Sequence, residues 1–152
     1  LNRTAFDPLF ASLTQISRRR QEPLAALLVD IDHFKAINDS LGHPVGDRAI
    51  QHVCARMAER IRSSDRLFRW GGEEFLVLLP ACDPGAAEQL AWEICRLVRS
   101  RPLPHATRRV PITLSIGVTT WRRGEGPQEL LARADWALYQ AKQSGRDRVV
   151  RA

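Results

Sequence analysis

The sequence predicts an α/β domain built on one sheet, and three observations predict it. Apolar runs too short for helices, Leu24–Ile31, 75–79 and 110–120, alternate with stretches of helical periodicity. Gly71-Gly72 joins two strand-like runs as a tight hairpin needing φ > 0. Acidic residues close the central run at its carboxyl end, where open α/β sheets bind ligands. At 152 residues, 44% hydrophobic and 26% charged, the chain has the size of one globular domain spanning 1–152, which excludes disordered and fibrous classes. No run is long enough to span a membrane and no signal-peptide layout opens the chain, so a soluble cytoplasmic domain is expected.

Phe6, Leu9, Phe10, Leu13 and Ile16 recur at helical spacing and give a first amphipathic helix ending at Arg18-Arg19-Arg20, whose cations suit its C-terminal dipole. Its start reads either as Asp7 capping with Pro8 at the first helical position, or as an earlier turn capped by Asn2. Leu24–Ile31 reads as a buried strand, and Asp30 at its end must be paired or metal-bound if buried. Asp32 sits where the N-cap of a helix over residues 33–40 belongs. That helix turns Phe34, Ile37 and Leu41 inward and stops at Gly42. Pro44, Gly46 and Asp47 open a longer helix to Ile61, where Asp47 either complements the dipole or serves a site. After the hairpin, residues 84–100 form a helix, 101–109 a basic connector, 110–120 a strand with Gly117 marking a close approach or a bulge, 127–143 a helix, and 147–151 an edge strand.

A net charge of +6 would suit nucleic acid, an acidic membrane or a phosphate-rich small molecule. The arginines are scattered apart from one triplet and aromatics are few, which argues against nucleic acid. Cys54, Cys82 and Cys95 lack CxxC spacing, and no two of the four histidines are paired at i, i+4, so neither a disulfide framework nor a zinc site is expected. Glu73 and Glu74 are different. Adjacent carboxylates repel, so they form either a solvated hairpin tip or, beside a buried strand, a seat for a divalent metal. Arg62-Ser63-Ser64-Asp65 reads in isolation as the charged end of a helix.

Taken together, Asp30-Ile31-Asp32-His33-Phe34-Lys35-Ala36-Ile37-Asn38-Asp39, Gly42-His43-Pro44-Val45-Gly46-Asp47 and Arg69-Trp70-Gly71-Gly72-Glu73-Glu74-Phe75 resemble, in order and separation, the GGDEF family of diguanylate cyclases in a GGEEF variant. Leu114-Ser115-Ile116-Gly117-Val118 and the stretch 137–146 extend the resemblance over nearly the whole chain. It implies an α+β domain with a central, mostly antiparallel five-stranded sheet flanked by helices, akin to the palm of class III nucleotide cyclases and polymerases. The implied activity is condensation of two GTP into cyclic di-GMP with release of two pyrophosphates, in bacterial second-messenger signalling.

The resemblance also assigns roles. Asp30, the Ile31 carbonyl, Glu73 and Glu74 hold Mg²⁺, two ions per active half-site, with Mn²⁺ as a substitute. Glu73 accepts the hydroxyl proton, and Lys35 assists catalysis. Substrate phosphates lie against the amides near His33 and Phe34, with Lys35, Lys142 and Arg146 supplying charge. Asn38 and Asp47 read guanine, His43 lines the same pocket, and Gly71 and Gly72 approach the substrate. Arg62 and Asp65 form an inhibitory product-binding site, although the second arginine that often completes it stands here as Glu93. Two GTP-loaded chains form the catalytic homodimer, and this fragment contacts neither nucleic acid nor membrane. Only Leu1-Asn2-Arg3 remains of the family's D-x-L-T-G-L-x-N-R opening, so a regulatory region is expected outside the fragment. The rival reading is a non-catalytic receptor domain for GTP or cyclic di-GMP.

Overall fold

A computed structural model describes all 152 residues. The chain runs α1 (Phe6–Arg20), β1 (Leu24–Ile31), α2 (Phe34–Leu41), α3 (His43–Ala58), β2 (Arg66–Arg69), β3 (Glu74–Pro80), α4 (Pro84–Ser100), β4 (Leu103–His105), β5 (Arg108–Val110), β6 (Leu114–Thr120), α5 (Pro127–Gln143) and β7 (Arg148–Arg151). The main sheet has five strands in the order β2-β3-β1-β6-β7. β1 lies between antiparallel β3 and β6, and only the β6–β7 pair is parallel. The mostly antiparallel sheet flanked by helices is therefore as expected.

Because side chains alternate along a strand, each face of the sheet collects every second residue. Ala25, Leu27, Val29 and Ile31 of β1 join Phe75, Val77 and Leu79 of β3 and Leu114, Ile116 and Val118 of β6 in the larger core, under α3 and α4. Ala26 and Leu28 join Leu76 and Leu78 in the smaller core, with Phe6 and Phe10 of α1 and Leu130, Ala134 and Leu138 of α5. The same parity puts Asp30 and Glu74 on the α1/α5 face, one step past the apolar pairs. Both strands are buried along their apolar runs, so truncating Leu28 or Leu76 to alanine should cost ~2–5 kcal/mol. A Cβ on Gly117 would stand 2.5 Å from the Ala134 carbonyl and 2.6 Å from the Leu138 nitrogen, so of the two readings of this glycine the close approach holds: α5 rests directly on the β6 backbone.

Several local expectations are corrected. α1 starts at Phe6 with Ala5 at its N-cap and no side-chain cap, after a 3₁₀ turn over Arg3–Ala5. Asp7 and Pro8 lie inside its first turn, where a missing N–H has no helical acceptor to lose. α3 ends at Ala58, and Ile61 reaches the core from a looser turn in which its amide donates to the Met57 carbonyl. The connector over 101–109 folds into the β4–β5 ribbon, and β6 begins only at Leu114. Pro111, which cannot donate to a ladder, separates the two. The hairpin is not a two-residue turn. β2 ends at Arg69 and β3 starts at Glu74, leaving four connecting residues, and neither Gly71 nor Gly72 has a positive φ.

Candidate active site

The carboxyl end of β1 opens into a cleft of about 500 Å³ lined by Asp30, Ile31, Asp32, His33, Phe34, Lys35, Asp39, Glu73, Lys142 and Arg146 among others. A larger hollow of about 710 Å³ between α1 and α5 is floored by Phe6, Phe10, Trp70 and Leu131, and it gathers no comparable set of paired charges. Chemistry, not size, singles out the first.

Asp30 is the centre of the cleft. Its neighbour across the β1–β3 ladder is Glu74, so two carboxylates face each other on one side of the sheet, an arrangement that is unfavourable unless a cation intervenes. Burial pushes the Asp30 carboxyl above its ordinary range, against the opposing hydrogen bond and charge of Lys142. Burial, and then the charge of Asp30, push Glu74 upward as well. Lys142, from the last turn of α5, is bonded to Oδ2 of Asp30. The other oxygen, Oδ1, is buried and has no partner. An unpaired buried carboxylate oxygen is costly, so this one is built for something the protein chain does not supply.

Asp32 does not cap α2, contrary to expectation. Its Oδ2 accepts from the Thr113 hydroxyl at 2.7 Å and the Asp147 amide at 3.0 Å, while Oδ1 accepts from the Ser115 hydroxyl at 2.6 Å. It pins the starts of β6 and β7 to the end of β1. Sequence reading missed Thr113, Ser115 and Asp147; polar residues alternating into an otherwise apolar strand were the available signal. The N-cap position belongs to His33, in the left-handed region at φ 55° with no side-chain cap. That strained entry leaves the first amides of α2 without helical partners at the wall of the cleft.

The remaining expected residues are distributed around this centre. Glu73, Lys35, Lys142 and Arg146 share the cleft with Asp30, and Ile31 also lines it. Arg146 is held at φ 64° beyond α5, its amide bonded to the Ala141 carbonyl at 2.9 Å. Asn38, His43 and Asp47 lie outside the lining, on α2 and α3. Asn38 packs on Gly46, whose missing Cβ leaves room for it, and its Oδ1 is a second buried oxygen without a partner. Gly71 and Gly72 form the exposed turn before Glu73. No three acidic, histidine or cysteine side chains converge into a ready metal cluster. The all-oxygen donors still fit a hard divalent ion: Asp30 Oδ1 is unpartnered, and Glu74 opposes it where a cation would relieve the repulsion.

Arg62 and Asp65 are together but occupied with each other. Asp65, buried, accepts from the Arg62 amide at 2.7 Å and its guanidinium at 3.1 Å, and that guanidinium also donates to the Pro80 carbonyl at 2.7 Å. Glu93 is engaged only by Gln89, at 3.5 Å on the same helix.

The family model for the diguanylate cyclase GGDEF domain matches residues 1–148. The chain belongs to the GGDEF family. This GGDEF domain is 42% identical to the response regulator PleD of Caulobacter vibrioides over 132 residues, which is 85% of the chain and 29% of that protein. It is 38% identical to the diguanylate cyclase DgcP of Pseudomonas aeruginosa, covering 89% of the chain and 20% of the relative. The domain thus spans less than a third of the length of these relatives. Its backbone matches the GGDEF domain of DgcB from Caulobacter crescentus, solved in complex with c-di-GMP, with a TM-score of 0.93 and 32% identity over 99% of this chain and 87% of that one. No helix of the GGDEF domain is long and apolar enough to cross a membrane.

Proposed function

We propose that this GGDEF domain is a Mg²⁺-dependent diguanylate cyclase that joins two GTP into cyclic di-GMP and releases two pyrophosphates. The observation that carries the reading is the unpartnered, buried Oδ1 of Asp30, a residue paired across the ladder with Glu74, in a cleft that also holds Lys35, Lys142 and Arg146. Asp30, the Ile31 carbonyl, Glu73 and Glu74 would hold the metal. When bound, magnesium neutralises and aligns phosphate oxygens.

The chain's own residues do the rest. The free amides at the start of α2 and the cations of Lys35, Lys142 and Arg146 bind the polyphosphate and hold the α-phosphorus in line for attack. Glu73, half-buried where the turn meets β3, takes the proton of the attacking 3′-hydroxyl. Asn38 and Asp47 pair with the edge of guanine beside His43, and adenine is rejected because it would leave those groups unpaired. One chain carries one such set, while the product needs two attacks, so two chains meet about a two-fold axis, each offering its GTP to the other. Arg62 and Asp65 form the feedback site for the product, with the exposed part of Arg62 as the anion contact.

The complete acidic set favours an enzyme over a nucleotide receptor, which would have no need of Glu73 or of the Asp30–Glu74 pair. Incubating the domain with GTP and Mg²⁺ and identifying the product by mass tests the reading. Cyclic di-GMP is the expected product. Tight GTP binding without turnover, with the chains held as a dimer, would refute it in favour of a receptor.

A further inference from the structure

The turn from Trp70 to Glu73 presents a problem that its two glycines make worse. Glycine has the largest backbone entropy to lose, and Gly72 has no packing to hold it: a Cβ placed there would meet no atom within 4 Å. Yet a catalytic carboxylate has to be held to within about 0.5 Å to be useful. Backbone bonds supply part of the restraint, since the Trp70 and Gly71 amides donate to the Glu74 carbonyl at 2.8 and 3.2 Å.

The Ile31 amide holds the Glu73 carbonyl at 3.2 Å and Trp70 packs edge-on against Phe6, but the two glycine carbonyls between are held by one side chain. Arg69 Nε reaches the Gly71 and Gly72 carbonyls, each at 3.2 Å, and Nη2 donates to the Gly72 carbonyl at 2.6 Å. An exposed arginine ordinarily turns to water or to a carboxylate, and this one makes no ion pair even with two glutamates close by in sequence. Its planar fork spans two successive carbonyls, which a lysine ammonium cannot do in the same geometry. The backbone of Arg69 is itself held on both sides. It pairs with Phe75 of β3 on one edge, and on the other its amide donates to the Leu1 carbonyl at 2.9 Å.

We propose that Arg69 is the positioning residue of the catalytic turn, fixing the Gly71 and Gly72 carbonyls so that Glu73 and Glu74 are presented to the cleft in one geometry. The assignment of chemistry to those glutamates rests on the function proposed above, but the ordering of the turn does not. Two measurements therefore accompany each other on wild type, Arg69→Ala and Arg69→Lys: hydrogen–deuterium exchange of the peptide over residues 69–76, and steady-state kinetics with GTP and Mg²⁺.

In Arg69→Ala, exchange should rise at least several-fold in that peptide alone, kcat should fall by roughly 10²-fold as expected for a misplacement near 1 Å, and KM for GTP should hold within about twofold. Arg69→Lys keeps charge and length and should show the same local loosening, so it decides the matter if the alanine variant does not fold. Unchanged exchange in the turn, or wild-type kcat in either variant, would overturn the proposal. If wild type makes no cyclic di-GMP, the cyclase reading fails while the exchange comparison still settles whether Arg69 orders the turn.

Discussion

Replacing Lys142 with methionine keeps most of its aliphatic volume and removes the only cation bonded to Asp30. The carboxylate is 7% exposed and the lysine 31%, so the pair is buried on one side and wetted on the other. Breaking a fully buried pair costs about 3–5 kcal/mol; solvent access at the lysine reduces that to about 2 kcal/mol here. For a domain of this size such a loss lowers Tm by roughly 4–8 °C. The pH dependence gives the sign. The Asp30 pKa in the folded state already lies above its ordinary value of 3.8 because of burial, and losing Lys142 raises it further. Well below that ordinary value Asp30 is protonated in both folded and unfolded chains, so the substitution costs little there. The cost grows as pH rises through the folded pKa. Urea unfolding of wild type and Lys142→Met over a pH series running from below 3.8 to 8 measures it, and Mg²⁺ at pH 8 should stabilise the variant more than wild type. A destabilisation that is the same across the whole series, or absent throughout, would refute the view that Lys142 compensates a buried charge.

Asp30→Asn and Glu74→Gln should each lower kcat/KM by at least roughly 10²-fold while circular dichroism is unchanged, and full turnover at saturating Mg²⁺ would remove both from the metal site. Arg62→Ala should raise the inhibition constant for cyclic di-GMP and leave initial rates nearly intact; equal inhibition of both proteins would reduce Arg62 and Asp65 to the hydrogen-bonded turn they already form. Specific activity should rise with protein concentration in a dilution series at saturating GTP, and further when a constitutive dimeriser is fused to Leu1. A flat profile from a monomer in sedimentation would mean that one chain makes both bonds.

What the sequence disclosed and what it hid divide by distance along the chain. The limits of α4 and α5 were readable because Pro84 and Pro127 open them and an apolar stripe runs their length. β1 was readable as an unbroken apolar run, and the acids at its end and after the glycine pair were conspicuous because charge there is costly. Asp32 misled for the opposite reason: a local capping role explained it, whereas its real partners Thr113, Ser115 and Asp147 lie 81 or more residues away. Arg69 passed unnoticed because its partners are backbone carbonyls, which no residue pattern marks. The β4–β5 ribbon was hidden because short strands among prolines and arginines carry no periodicity.

The bond between Lys142 and Asp30 joins residues 112 positions apart, and that from the Asp147 amide to Asp32 spans 115. Closing such long loops is entropically slow, so the two ends of the chain should meet late in folding, after β1 has already paired with β3. A chain that has not yet added α5 therefore leaves Asp30 without its only cation and Asp32 without the Asp147 amide. On the function proposed above, a domain clipped ahead of α5 lacks both Lys142 and Arg146 and should be inert and not leaky.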